Sequence, residues 1–226
     1  MQYAEVIQHL KAQASAENAA YMARYAIGGK EVLGISVYTL RSMAKFIGHN
    51  HELAIKLWDS GIHEARILAG LIEEPLKVTN AQLERWASYF DSWDIVDQLS
   101  AMIAQTPFVI QKIHEWALRD EEFVKRAAFS LIAEVSFYHT HMPDADYEQF
   151  FPLIVQAATD ERNFVKKAVN WALRNIGKRN QSLNKRALEV ARQIQQIDSK
   201  TARWIASDAI RELNSEAIQQ RLAKRK

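Results

Sequence analysis

Apolar and polar residues alternate with a helical period along almost the whole chain. In the run from Phe164 to Ile176, apolar residues recur every three or four positions and fall on one stripe at 100° per residue. The members of this stripe are Val165, Ala168, Val169, Ala172, Leu173 and Ile176. Similar runs of about 10–18 residues are joined by short polar connections, and strand-like alternation is missing. The pattern predicts an all-α protein.

Glycine and proline mark the expected ends of these helices, because both residue types interrupt helical hydrogen bonding. The predicted breaks are Gly28 with Gly29, Gly34, Gly48 to Asn50, Ser60 with Gly61, Pro75, Thr106 with Pro107, Met142 to Asp144, Gly177, and Asp198 with Ser199.

A weak repeat recurs about every 40 residues. The segment from Asp120 resembles the segment from Asp160, so that Phe123 aligns with Phe164 at an offset of 41. Ala172 aligns with Ala209 at an offset of 37. This period is typical of stacked helix pairs of the HEAT or armadillo kind, in which neighbouring repeats share a continuous core. We therefore expect residues 1–226 to form one all-helical repeat domain, a solenoid with a concave face.

The polar faces of three helices carry candidate functional residues. Opposite the apolar stripe of the run above lie Lys167, Trp171, Arg174 and Lys178. Arg126 occupies the place of Lys167 in the preceding repeat, and Trp93 and Asp97 are four apart in the helix before that. A large aromatic side chain between cations favours a nucleic-acid surface, and these helices are expected to face one groove.

The charge distribution supports a polyanionic partner. Residues 1–159 carry 13 Lys and Arg against 20 Asp and Glu, whereas residues 160–226 carry 16 against 7. The net charge of +2 therefore hides a basic C-terminal third. A solvated basic surface is the alternative interpretation. The concave groove is expected to be basic.

Composition excludes several other classes of chemistry. With no cysteine in 226 residues, disulfides and thiolate catalysis are ruled out. The two His-x-His pairs, at His49 and His139, lie near predicted breaks and lack a third ligand, so we expect no metal and no cofactor. A basic leader and a membrane-length apolar run are also missing, which favours a cytoplasmic, bacterial-type protein with no membrane partner. The helical pattern is compatible with a monomer.

Taken in order, these segments resemble the AlkD-like DNA alkylation repair proteins, which are HEAT-like-repeat DNA glycosylases. The resemblance is carried by residues 92–97 (SWDIVD), 123–127 (FVKRA) and 163–174 (NFVKKAVNWALR), and it covers most of the chain. It implies that Trp93, Asp97, Arg126 and Trp171 are the active-site residues, and that Tyr25 lines the cleft. DNA contacts are expected from the nearby cations, namely Lys125, Lys166, Lys167, Arg174, Lys178 and Arg179.

The resemblance implies hydrolysis of the N-glycosidic bond of cationic alkylpurines, such as N3-alkyladenine and N7-alkylguanine, in double-stranded DNA. Two alternatives stay open: a non-catalytic binder of distorted or branched DNA, and a protein-interaction scaffold. The alternative to a catalytic role for Asp97 is a structural one, as an ion-pair partner of Arg126. The other tryptophans, Trp58, Trp86, Trp116 and Trp204, are interpreted as packing residues.

Overall fold

The computed structural model describes residues 1–139 and 141–224, and these residues form fifteen helices. The helices are α1 (Tyr3–Ala12), α2 (Ala16–Ala23), α3 (Val37–Ile47), α4 (His51–Asp59), α5 (His63–Ile72), α6 (Asn80–Ala87), α7 (Trp93–Ile103), α8 (Val109–Ala117), α9 (Glu122–Tyr138), α10 (Asp144–Glu148), α11 (Phe151–Ala157), α12 (Asn163–Gly177), α13 (Gln181–Gln195), α14 (Lys200–Leu213) and α15 (Glu216–Lys224). The all-α prediction is confirmed.

Side-chain caps begin many of these helices. Ser15, Ser36, Asn50, Thr79, Asn180 and Ser199 each accept a hydrogen bond from the backbone N–H three residues later. Such a bond satisfies one of the amide groups that a helix N-terminus leaves without an intrahelical partner. The breaks predicted from glycine and proline fall between helices or at helix ends. The joins before α2, α7, α9, α11, α12 and α15 contain no glycine or proline and were not among the predicted breaks.

The chain divides into two compact units, Met1–Phe108 and Val109–Lys226. In the first, α5 is central and packs against α3, α4 and α7. In the second, α9 packs against α8 and α12, and α14 packs against α12 and α13. The expectation of a single domain over residues 1–226 stays a prediction.

The repeat period is visible inside the second unit. The rings of Phe123 and Phe164, which the sequence aligns, lie 5.5 Å apart at the starts of α9 and α12. The backbone N–H of Phe164 donates to the carboxylate of Glu122, and Asn170 Nδ2 donates to Asp208 across an offset of 38 residues. Contacts between successive repeats therefore join residues about 40 apart, close to the period of the sequence.

Helix α5 holds the chain between α2 and α3 through a buried carboxylate. Glu64 is fully buried, and its two oxygens accept the backbone N–H groups of Leu33, Gly34 and Ile35 at 2.7–3.2 Å. The same segment reaches α2, because the N–H of Ser15 donates to the carbonyl of Leu33 at 2.7 Å. These bonds fix the end of the connection that begins at Tyr25.

None of the helices in the described ranges combines the length and the apolar character needed to cross a membrane.

Candidate nucleic-acid interface

The start of α7 carries the two residues that the sequence singles out in the first unit. Trp93 is the first residue of the helix and Asp97 lies one turn further on, so both side chains project from the same side of α7. Both residues are half-buried. The indole Nε1 of Trp93 donates to the carbonyl of Tyr25 at 2.9 Å. Trp93 is therefore fixed in orientation and remains partly open to solvent.

Tyr25 brings a second aromatic ring to this place. Its side chain is exposed, and its hydroxyl lies 2.8 Å from the hydroxyl of Tyr21, with the rings 5.1 Å apart. The hydrogen bond to Tyr25 raises the pKa of the Tyr21 phenol above its ordinary value. Sequence reasoning identified Tyr25 and missed Tyr21, although the two are four apart in the chain, the spacing of neighbours on one helical face.

A buried polar network holds the N-terminus of α7 against α5. Ser92 forms the N-cap, but its hydroxyl donates to the carboxylate of Asp94 rather than capping the backbone. The other oxygen of Asp94 accepts from Nε2 of His63 at 2.8 Å, and the His63 side chain is fully buried. This network positions Trp93, since Trp93 lies between Ser92 and Asp94 in the chain.

The ionisation of this pair follows from its surroundings. Burial opposes the charged form of His63 most strongly, but the hydrogen bond that His63 donates to Asp94 and the charges of Asp94, Glu64 and Asp91 raise its pKa above 6.5. Burial likewise opposes the charge of Asp94, yet the hydrogen bonds from His63 and Ser92 lower its pKa below 3.8. Both groups are therefore charged between pH 3.8 and pH 6.5, the ordinary pKa values of the two side chains.

We predict that His63→Leu destabilises the fold by about 3 kcal/mol near pH 6, because it leaves the Asp94 carboxylate buried without its charged partner. The charge contribution of His63 is complete below pH 6.5 and is lost as the pH rises through its raised folded value. That of Asp94 is present above pH 3.8 and is lost only on acidification through its lowered value. Urea unfolding of both proteins at pH 6 and pH 9 should show a smaller difference at pH 9. An equal difference at the two pH values contradicts this account.

Beside the network, Arg66 joins α5 to the connection before α7. Its guanidinium carbon lies 5.4 Å from the centre of the Trp58 ring and 5.2 Å from that of Tyr89, and one terminal nitrogen lies 3.4 Å from Asp91. Burial raises the pKa of Asp91, in spite of the nearby charges of Arg66 and His63. A cleft of about 700 Å³ opens here, lined in part by Arg66, Tyr89 and Asp91.

In the second unit, Arg126 lies deeper than the sequence predicted. The prediction placed it on the outer face of its helix, but only 6% of the residue is exposed, and its Nη1 donates to the carbonyl of Phe164 at 2.8 Å. The apolar stripe of α9 is buried as expected; a single stripe, however, does not describe a helix that packs against both α8 and α12. Arg126 thus links α9 to the beginning of α12.

Helix α12 presents Trp171 and Lys167 as the sequence predicts. All six residues of its apolar stripe are buried, Trp171 is half-buried, and Lys167 is exposed. Neither tryptophan assigned to the active site is therefore sealed in a core.

Arg174 and Lys178, at the end of α12, pair with carboxylates of α14. Glu212 of α14 receives Lys178 Nζ at 2.8 Å and also pairs with Arg174, which lies 3.4 Å from Asp208. Burial opposes ionisation of Glu212, but Lys178 and Arg174 lower its pKa below the ordinary value. The basic stripe derived from α12 alone is thus partly neutralised by the next repeat.

Two further cations from the predicted DNA-binding set also make contacts within the fold. Arg179 donates to the backbone carbonyls of Ser136 and His139, and its guanidinium lies 4.3 Å from the centre of the Tyr147 ring. Lys125 lies 3.8 Å from the carboxylate of Asp160. The assignment of these cations to DNA stays a prediction, and Lys167 is the most accessible member of the set.

Of the four remaining tryptophans, three are buried and one is exposed. Trp58, Trp86 and Trp116 are at most 1% exposed, and the first two stack with ring centres 4.4 Å apart, which confirms them as packing residues. Trp204 is 43% exposed and is therefore not a core residue, although its ring contacts a helix of the neighbouring repeat. Trp204 lies near the start of α14, and Lys166 Nζ is 5.5 Å from its ring centre.

The candidate site residues belong to two compact units. Tyr25, Trp93 and Asp97 lie in the first, and Arg126, Trp171 and the predicted DNA-binding cations lie in the second. The concave basic groove stays a prediction.

Comparisons with known proteins identify a family and several relatives of this chain. The sequence profile of the family described as "DNA alkylation repair enzyme" matches residues 6–213. An uncharacterised protein of Listeria monocytogenes is 23% identical over 150 residues, and one of Listeria innocua is 21% identical over 150 residues. Each match spans 66% of this chain and 65% of the relative, so the chain matches slightly under two thirds of these proteins' length.

A solved structure has a similar fold over nearly the whole chain. It is described as representing a new family of proteins related to the HEAT-like repeat DNA glycosylases with affinity for branched DNA structures. The TM-score is 0.81 at 17% sequence identity, and the alignment covers 98% of this chain and 96% of the other. The HEAT-like fold predicted from the repeat period is confirmed, and the chain belongs to the DNA alkylation repair enzyme family.

Proposed function

We propose that the protein is a monofunctional DNA glycosylase that hydrolyses the N-glycosidic bond of cationic alkylpurines in double-stranded DNA. Family membership supports DNA alkylation repair in general. The observation that carries the finer assignment is the pair on α7: an indole fixed by the Tyr25 carbonyl, and a half-buried carboxylate one turn away.

The chemistry that this pair can assist is limited and suits a labile bond. Alkylation at N3 of adenine or N7 of guanine makes the base cationic, so it departs without needing a strong general acid. Positive charge then develops on the deoxyribose, as in other glycosidic cleavages. In our proposal the carboxylate of Asp97 stabilises this oxocarbenium-like sugar and orients the attacking water.

The tryptophans contribute in the same step through their π-faces. A ring face next to a developing cation is worth about 0.5–2 kcal/mol, depending on how far water is excluded. Trp93 is proposed to contact the reacting sugar, and Trp171 the adjoining backbone. Trp93 is suited to this because the hydrogen bond to Tyr25 and the Asp94–His63 pair already hold it in place.

The remaining residues are proposed to bind the DNA strand. Arg126, held by the Phe164 carbonyl, contacts the phosphate beside the lesion, and Tyr25 contacts the neighbouring nucleotide. Lys125, Lys166, Lys167, Arg174, Lys178 and Arg179 supply the positive surface for flanking phosphates. Among these, Lys167 is exposed, so it is expected to carry the largest share of phosphate binding.

A base-release assay tests the proposal. The protein is incubated with an alkylated duplex, and free base is separated by chromatography while the strands are checked for integrity. We expect free N3-alkyladenine or N7-alkylguanine and strands left unbroken at the abasic site. No release above the blank, from protein shown to bind the same duplex, rules the activity out.

A second candidate function is binding of branched DNA without catalysis. It is favoured by the fold similarity to the solved structure described above, whose family is related to the glycosylases and has affinity for branched DNA. This candidate predicts equal affinity for alkylated and undamaged branched duplexes and no turnover. Turnover that depends on Asp97 excludes it.

Lys167→Ala is expected to weaken duplex binding and to reduce the slope of log K against log salt by about one unit, because one phosphate contact and its released counterion are lost. Binding measured by fluorescence anisotropy over a salt series checks this. The matched control is Lys185→Ala, which removes the same charge from an exposed position on α13. Equal effects of the two substitutions contradict a specific role for Lys167.

A further inference from the structure

Helices α12 and α14 face each other through a regular ladder of side-chain pairs. Asn170 Nδ2 donates to Asp208 at 2.7 Å, and one turn later Arg174 pairs with Glu212. Each pair joins residues 38 apart in sequence. One turn earlier, the same register places Lys166 beside Trp204, with the ammonium 5.5 Å from the ring centre.

The Lys166–Trp204 pair differs from the other two in its chemistry. In the other pairs a carboxylate of α14 receives the nitrogen donor of α12. At the first position α14 offers an indole, so within the described residues the Lys166 ammonium makes no ion pair with a carboxylate. An indole face attracts an ammonium but leaves its hydrogen-bond donors for another acceptor. The pair therefore keeps the capacity to bind an anion.

The solvent exposure of the pair also favours binding of an anion. Trp204 is 43% exposed, whereas the three packing tryptophans are at most 1% exposed. Lys200 and Arg203 are exposed beside it on α14, and Lys167 is exposed beside Lys166 on α12. Asp198 pairs with Arg203 at 3.0 Å. Positive charge is thus in excess around an open aromatic surface.

We propose that the Lys166–Trp204 pair is a binding site for one unpaired nucleotide of a DNA strand. The indole stacks on the base, and the Lys166 ammonium binds the adjoining phosphate. This proposal rests on the proposed function only in that the protein binds DNA.

An unpaired nucleotide fits this pair better than a base pair within a duplex. Inside a duplex both faces of every base are covered by stacked neighbours, so an indole at the surface reaches only sugar and phosphate. In a single strand the base face is free, and stacking on an aromatic side chain contributes largely independently of sequence. The site therefore provides preference for a junction between double-stranded and single-stranded DNA.

The experiment compares two undamaged DNA molecules, a blunt duplex and the same duplex with a short single-stranded overhang. Anisotropy titrations give the ratio of their Kd values for the wild-type protein, Trp204→Ala and Trp204→Phe. We expect the wild type to prefer the overhang by about fivefold or more, which corresponds to one stacked base. Trp204→Ala should abolish the preference, and Trp204→Phe should retain most of it.

Tyr138→Ala is the matched control, since it removes another exposed aromatic side chain from the same unit. It should leave the preference unchanged. The proposal is overturned if the wild type binds both DNA molecules equally, if Trp204→Ala keeps the preference, or if Trp204→Ala weakens both complexes by the same factor.

Base release measured on the same preparations separates this proposal from the function of the protein. Overhang preference without base release overturns the glycosylase proposal and supports the nucleotide site. Base release without overhang preference supports the glycosylase proposal and overturns the nucleotide site. Absence of any DNA binding overturns both.

Discussion

Asp97→Asn is expected to lower the single-turnover rate of base release by about 100-fold or more, while the Kd for the alkylated duplex changes little. The substitution keeps the size and shape of the side chain and removes the negative charge proposed to face the developing sugar cation. Loss of one preorganised electrostatic contact to a transition state typically costs a factor of 100–1,000. The rate is measured with protein in excess over DNA, so that weakened binding does not enter the result.

A control substitution separates a local effect from a general loss of negative charge. Asp59→Asn changes an exposed carboxylate of the same unit, at the end of α4. It should leave the single-turnover rate near that of the wild type. Equal rates for wild type and Asp97→Asn contradict the role proposed for Asp97.

Gly34→Ala is expected to have the largest effect on stability, a loss of about 2–5 kcal/mol. Gly34 has a φ of +79°, where an L-residue is strained by about 1–2 kcal/mol. A Cβ at this position would also lie 2.2 Å from the Ser15 carbonyl oxygen and 2.7 Å from the Ala19 nitrogen, both backbone atoms. Relieving that overlap requires movement of α2 away from the segment that Glu64 holds, which adds an overpacking cost of about 1–3 kcal/mol.

Gly61→Ala isolates the steric part of this effect. Gly61 has a φ of +75°, but nothing lies within 4 Å of a Cβ placed there. It should lose only the backbone contribution. Denaturant unfolding of the two variants therefore gives the cost of the contact as a difference, and equal losses contradict the overlap.

The local patterns of the sequence predict much of the fold. The apolar stripes of α9 and α12 are buried as the helical period requires, and the equivalent residues Phe123 and Phe164 of successive repeats are in contact. These features depend on one helix, or on one helix and its copy in the next repeat. They can therefore be read from spacing alone.

The features that sequence reasoning missed depend on partners far along the chain. Arg126 is buried because α9 packs against two helices, and Glu64 caps a segment 29–31 residues away. The pairing of His63 with Asp94 spans 31 residues and lacks any local signal. Trp204 was assigned to packing because its neighbours in α14 are partly apolar. The register between α12 and α14 places it instead beside Lys166.

The same limit applies to the candidate site. Trp93, Asp97 and Trp171 were identified from helical faces and from the order of motifs, and all three are half-buried. The neutralisation of Arg174 and Lys178 by Glu212 was not foreseen, since a stripe computed for one helix carries no information on the charges of the next. Charge patterns along single helices therefore overstate the positive surface of a repeat protein.

The central claim is that the protein cleaves the glycosidic bond of bases that are already cationic. It is tested most directly by single-turnover release from two duplexes of identical sequence, one with a single N3-alkyladenine or N7-alkylguanine and one with a neutral uracil. We expect release of the cationic base and no release of uracil above the blank, because Asp97 and Trp93 are proposed to stabilise the sugar and to supply no acid to a neutral leaving group. Retention of the cationic base by DNA-bound protein, or release of both bases at similar rates, contradicts it.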